Sequence, residues 1–328
     1  MNKKIVTILL LAGSLIFSAC KKDSDVFVPD NGQLNGPDTS WYNTITSTMP
    51  VSVLKNNLMI PVYYDSFKVD SNNAYVLTPF GLQLGFPPHS CVGNAGQTIS
   101  GFVQVELQLV KKKGDMIQLN KPTTSNNKLL ISGGEVFIRL KQNGQNLQLA
   151  PNVKIQVRFP IDIPIATQMK LFFGDESNPE RFNWLPNTDL LNNTLSITTQ
   201  NYEIQTNHLG WLNADYLYDT AGVSLTTVTA NLIPQFTNGN TIAFTVFKDY
   251  RSVVAMYGDI NTRKFSTVRL PVGKEVTVIV ISKLGNDYFM DHKTIATASP
   301  SNTPGNQSVL VSPVITTMAS IKAYLSTL

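Results

Sequence analysis

Histidine and cysteine are both scarce: the 328 residues hold three histidines and two cysteines. Two cysteines cannot build a disulfide framework. His89, His208 and His292 stand far apart, and none has the His-x-x-x-His spacing of a metal motif. Ordered Asp-x-Asn-x-Asp runs of the calcium-loop kind are missing too. Asp175 with Glu176, or Asp287 with Asp291, offer only isolated loop oxygens. No metal or other cofactor is therefore expected. Charge is thin, at 15% against roughly 25% in typical soluble domains. Thr, Asn, Ser and Gln take its place, as in β-rich proteins outside the cytoplasm. The formal net charge is +4, with no basic face interleaved with aromatics, so no nucleic-acid partner is expected. The single basic run, Lys111-Lys112-Lys113, precedes Gly114-Asp115 and reads as a solvated hairpin tip. Heptads, long helical stripes and short repeats are absent.

What the chain does have begins at its start. Lys3 and Lys4 precede an apolar run from Ile5 to Phe17. That run is shorter than the roughly 20 residues of a membrane span and has the layout of a secretory signal over residues 1–19. It ends in Phe17-Ser18-Ala19-Cys20, which resembles the bacterial lipobox. The resemblance implies that Cys20 becomes the first mature residue and carries lipid, palmitate included. Each buried CH₂ of such chains contributes about 0.8 kcal/mol, so several acyl chains hold a domain at a membrane stably. Lys21 is not the aspartate that retains lipoproteins at the inner membrane, which favours the outer membrane. Asp23 and Asp25 resemble the acidic surface-export tag of Bacteroidota lipoproteins, which favours the cell surface over the periplasmic face. Cys91 is then left without a partner. Residues 20–40 are rich in Asp, Asn, Gly and Pro and read as a flexible tether.

Beyond the tether, strands dominate. In Phe102–Leu109, Val103, Val105, Leu107 and Leu109 alternate with Gln104, Glu106 and Gln108, the period of a strand with one buried and one wet face. Gln142-Asn143-Gly144 suits a tight hairpin. Many short strands separated by turn signals predict an all-β fold with two β-sandwich domains in tandem, residues 41–220 and 221–328. Ile315, Met318, Ile321, Leu325 and Leu328 add a short C-terminal helix after Ser312-Pro313.

Three stretches carry a resemblance across residues 75–216: FGLQLGFPPHSCVGNAGQTISGFVQVELQLV, then KKKGDMIQLNKPTTSNNKLLISGGEVFIRLKQNGQNLQLAPNVKIQVRFP, then MKLFFGD with FNWLP and LGWLNAD. Together they resemble a family of Bacteroidota envelope lipoproteins with a ZU-like β-sandwich, the fold of a protein-interaction domain. That family implies no catalytic residues. Where it has neutral apolar residues, this chain has His89 and Cys91. Farther on, KFSTVRLPVGKEVTVIV resembles the transthyretin-like sandwich of carboxypeptidase regulatory domains.

Chemistry is sparse. If extended, His89 and Cys91 share a face, but i, i+2 side chains project in parallel roughly 6–7 Å apart, too far for a thiol and its base, and Pro87-Pro88 just before them suggests a loop. Glu106 reads as a solvated charge. Glu135, after Gly133-Gly134, has no second carboxylate beside it in sequence. Trp184 and Trp211, with Tyr216 and Phe172-Phe173, are either sandwich core or a sugar-stacking platform. The resulting expectation is a non-enzymatic, lipid-anchored envelope protein that serves as a binding or assembly module. Its expected partners are the membrane, through Cys20, and an envelope protein or glycan. The alternatives are a carbohydrate-binding accessory lipoprotein using Trp184 and Trp211, and a hydrolase whose site is assembled from distant residues.

Overall fold

The computed structural model describes residues 38–299 and 306–328. The signal, Cys20 and nearly all of the tether lie outside them. Residues Thr39–Leu328 form one compact unit. The chain is mostly β, with multiple sheets and a short C-terminal helix. Among the described residues no helix is long and apolar enough to cross a membrane.

The first fifteen strands are β1 (Tyr63–Lys68), β2 (Ala74–Leu77), β3 (Gln83–Phe86), β4 (Cys91–Val92), β5 (Phe102–Val110), β6 (Thr124–Ser125), β7 (Lys128–Gln142), β8 (Gln145–Asn146), β9 (Gln148–Leu149), β10 (Ile155–Pro160), β11 (Lys170–Asp175), β12 (Asn183–Pro186), β13 (Thr194–Ile197), β14 (Asn201–Thr206) and β15 (Gly210–Leu217). One sheet runs β1-β5-β7-β15-β11-β12 and a second runs β13-β14-β10-β3-β2. They close on each other in a sandwich-like pair, with Val103, Val105 and Leu107 of β5 and Val136, Ile138 and Leu140 of β7 facing Leu84, Val157 and Ile204 of the second sheet. The β7–β8 hairpin turns at Asn143 and Gly144, both at positive φ, as an Asn-Gly hairpin requires.

The later strands are β16 (Leu225–Asn231), β17 (Thr241–Phe247), β18 (Val253–Asp259), β19 (Lys264–Ser266), β20 (Leu270–Pro271), β21 (Glu275–Leu284), β22 (Asp287–Ala296), β23 (Asn306–Leu310) and β24 (Val314–Thr316). They form a sheet ordered β20-β16-β19-β18-β17-β21-β22-β24, with β23 parallel to β16. This sheet bends around a core of its own that includes Val228, Phe247, Val254, Phe265 and Val278.

A third apolar layer joins the two parts. Phe137, Phe172, Trp184 and Trp211 on one side meet Ile242, Phe244, Val253 and Ile279 on the other. Three short helices close its edges: α1 (Pro50–Leu58), α2 (Lys113–Gln118) and α3 (Met318–Leu325). They supply Leu54 and Leu58, Met116 and Ile117, and Ile321 and Leu325. The central strands of both sheets are consequently buried on both faces. In β17, Ile242, Phe244 and Val246 face the shared layer while Ala243 and Phe247 face the inner core. Backbone bonds stitch the seam: Thr123 N–H donates to the Val253 carbonyl (2.8 Å) and Ser132 N–H to the Arg251 carbonyl (3.0 Å).

Three local expectations change. The Lys111–Lys113 run is not a hairpin tip, because Lys113 opens α2 and the run lies against the second part of the chain. Glu106 is not on a wet face. Arg139 (3.1 Å) and Lys141 (2.7 Å) from neighbouring β7 cover it and compensate its charge, leaving it 6% exposed. The C-terminal helix starts later than its apolar spacing suggests. Residues 314–316 pair with β22, and Thr317 caps α3 by accepting the Ser320 N–H (3.1 Å). Helix α1 leaves little trace in the sequence, since its nine residues, Pro50 included, hold only three buried side chains.

Candidate functional site

The Ser132-Gly133-Gly134-Glu135 word sits in the middle of β7, where its register against β15 breaks. Asn213 pairs with Glu135 and Ala214 with Gly134, but Asp215 pairs with Ser132. The extra residue is a β-bulge, which re-aims the side chains around it. Both glycines are needed there. A Cβ on Gly133 would come within 2.7 Å of the Tyr202 hydroxyl and 2.8 Å of the Ala214 carbonyl, and Gly134 has φ +145.

The bulge gathers acids in the interior. Glu135, Asn213, Asp215 and Ser132 all have 0% exposure. Ser132 Oγ donates to Asn213 Oδ1 (3.1 Å), and Asn213 Nδ2 donates to Asp215 Oδ2 (2.7 Å). Neither carboxylate oxygen of Glu135 is hydrogen-bonded, and neither are Asp215 Oδ1 and the Tyr202 hydroxyl. Desolvation raises the Asp215 carboxyl to about 7. Desolvation, reinforced by the Asp215 charge, raises Glu135 well above its usual range. Two such acids resemble a general-acid pair, but a proton donor must come within hydrogen-bond reach of substrate. Fully enclosed, this pair meets none.

Arg251 links the acid cluster to the surface. Its Nη1 donates to the Gly133 carbonyl (3.0 Å) and to Asp162 Oδ1 (2.9 Å). Lys111 also approaches Asp162 (3.5 Å) and donates to the Pro160 carbonyl. Lys113 Nζ donates to the carbonyls of Phe247 (2.7 Å) and Lys248 (3.2 Å). These groups line an open cleft of about 410 Å³ at the seam between the two parts of the chain, with Lys112, Lys248 and Asp249 at its walls. That volume is within the range of small-molecule sites. Burial pushes the Lys111 and Lys113 ammonium groups down, with Asp162 opposing it at Lys111 and the Arg251 charge adding to it in both.

The residues singled out in the sequence fall elsewhere. Trp184 and Trp211 are 0% and 6% exposed, edge to face at 6.5 Å in the shared apolar layer. Trp184 Nε1 donates to the Pro122 carbonyl (3.0 Å), and Lys121 lies over the Trp211 ring (5.2 Å). Neither indole offers a face to a sugar, because the layer they fill is the one joining the two parts. His89 is exposed at positive φ near Asp70, whereas the Cys91 thiol is buried against Ser90 Oγ. Burial pushes that thiol up, away from a nucleophile's range. His208 stacks on Phe173 and His292 on Tyr324. Asp175 accepts the Ser177 N–H, Glu176 pairs with Lys121 (2.6 Å), and Asp291 accepts the N–H groups of His292 and Ser312. Among the described residues no three His, Cys, Asp or Glu side chains group as metal ligands. Cys20 lies outside the described residues.

Sequence reasoning found Glu135 but not Asp215, Asp162 or Arg251. The signal for Asp215 is the Gly-Gly pair before Glu135, which marks a bulge. It does not say which later strand lies opposite. No protein-family model matches the chain, and no curated protein is significantly similar to it.

Proposed function

We propose that this chain is a non-enzymatic cell-envelope protein, anchored by lipid on Cys20, that serves as a binding or assembly module. The Phe17-Ser18-Ala19-Cys20 word supports the anchor. Lys21, in place of the retention aspartate, favours the outer membrane, and Asp23 and Asp25 favour the surface face. The likeness of residues 75–216 to Bacteroidota envelope lipoproteins with a ZU-like interaction domain agrees with this role.

One observation carries the binding part: the open cleft at the seam is lined by charged side chains drawn from both parts of the chain. Lysines, one arginine and two aspartates line it, while the two perturbed carboxyls, Glu135 and Asp215, are closed off behind it. The test is a panel of ester, glycoside and peptide substrates offered to the full chain. No turnover is expected. Turnover lost in Glu135→Gln or Asp215→Asn would establish the hydrolase reading instead. The carbohydrate-accessory reading rests on an exposed aromatic pair, which Trp184 and Trp211 do not supply.

A further inference from the structure

We infer that the cleft between Lys111–Lys113 and Lys248–Arg251 is a binding site for a phosphate monoester. The inference rests on the binding role proposed above and gives it a ligand chemistry.

Charge and geometry carry it. Five cations, Lys111, Lys112, Lys113, Lys248 and Arg251, line the cleft. Against them stand Asp162 and Asp249 of the lining and Glu275, which pairs with Lys248. Five against three leaves an excess of two positive charges. The balance is uneven in space as well. Asp162 serves both Lys111 and Arg251, and Lys113 is held by carbonyls rather than by an anion. Lys112 is exposed and its carbonyl accepts the Asp115 and Met116 N–H groups, while its side-chain charge reaches as far as Asp115. Lys248 pairs with exposed Glu275 (2.9 Å) outside the cleft.

Cations that are partly desolvated and short of counter-charge attract an anion more strongly than the same groups in water. Burial is the first cause of the downward push on Lys111 and Lys113, opposed by Asp162 at Lys111 and by Asp249 at Lys113. A phosphate monoester carries about −1.5 to −2 charges at pH 7, which matches the excess of two. A carboxylate or sulfate ester, with one charge, leaves it half compensated. Neutral donors contribute little: Ser326 Oγ and Thr327 Oγ1 already donate to the Ala323 and Tyr324 carbonyls. Recognition therefore falls to the cations, with Arg251 fixed from behind by the Gly133 carbonyl. The roughly 410 Å³ of the cleft leaves room for the body of a molecule that carries the phosphate. That body is either a free small molecule or a lipid headgroup.

Full-length chain with Cys20→Ser, which removes the acyl anchor, is titrated calorimetrically with glycerol 3-phosphate. Controls are methyl sulfate and acetate. Binding is expected for the phosphate, at least about tenfold tighter than for either control, and weakening as salt rises. Lys112→Ala with Lys113→Met should weaken it at least about tenfold, with the thermal midpoint checked to show that the fold survives. Lys248→Ala alone is the milder companion. Cosedimentation with phosphatidic-acid-containing vesicles, against pure phosphatidylcholine, separates the two sources. Vesicle binding with weak glycerol 3-phosphate binding assigns a headgroup, and the converse assigns a free molecule. Absence of both at low salt overturns the inference, and so does phosphate binding unchanged in the lysine variants. Hydrolysis of the monoester would leave the site standing and overturn the non-enzymatic role.

Discussion

At the residue scale, a carboxyl whose pKa is higher in the folded chain than in the unfolded one weakens the fold as pH rises. Asp215 is raised to about 7 in the folded state, against about 3.9 for a free aspartate. Between those values the folded chain holds the extra proton, so stability falls from about pH 4 to about pH 7 and levels off above. Glu135 acts in the same direction. Asp215→Asn and Glu135→Gln should each flatten this slope. Each should also raise stability at pH 8, by on the order of 2 kcal/mol, by removing a buried charge without a full set of partners. Urea unfolding at pH 5 and pH 8 reads the effect, and variants less stable than the parent at pH 8 would contradict it. Cys91 gives a second expectation. Buried at 2% exposure with its thiol pushed up, it should resist alkylation in the folded protein and react once urea unfolds it. Peptide mapping reads this, and rapid labelling of the native state would be the contrary result. Both sites show what a sequence withholds. Glu135 is visible as an acid after two glycines, but its enclosure depends on a bulge opposite a strand far along the chain.

At the element scale, the close approach of α2 and α3 is the tightest constraint. A Cβ on Gly114 would fall 1.8 Å from the Leu325 carbonyl oxygen, so the two helices pack only because residue 114 lacks a side chain. Gly114→Ala should force α3 away and lower the thermal midpoint by several degrees, the response to a loss of roughly 1–3 kcal/mol. Leu325→Ala leaves a cavity in the shared layer and should cost about 2–5 kcal/mol. Midpoints equal to the parent's in both variants would show that α3 contributes nothing to the layer. Legibility at this scale follows the number of buried faces. Strand β5 alternated over Val103, Val105 and Leu107 and was read from that pattern. In β17 all seven residues are buried, so its apolar run marks a strand without saying what covers either face. The Lys111–Lys113 run was misread because local turn chemistry cannot reveal a neighbouring surface that arrives from residues 247–251.

At the scale of the whole molecule, the layer formed by Phe137, Trp184 and Trp211 against Phe244 and Ile279 makes the two parts depend on each other. The chain should therefore unfold in one cooperative transition. Calorimetry of the full chain carrying Cys20→Ser should give one peak whose van't Hoff and calorimetric enthalpies agree, and two separated peaks would contradict the shared core. The all-β class was legible from turn spacing and alternation. The shared layer was not, because residues that bind two sheets together look in sequence like the core of one. The seam is also where the cleft opens, so the same packing that joins the parts brings Lys111 and Arg251 together.

The proposed role turns on the proposed anchor, since a binding module held at a membrane by lipid acts on what comes to that surface. Mass analysis of the N-terminal peptide from native envelopes tests this most directly. The proposed anchor predicts a peptide that begins at Cys20, carries acyl chains, and loses them together with membrane association in Cys20→Ser. A peptide that continues through residues 1–19 with an unmodified Cys20 thiol would contradict it.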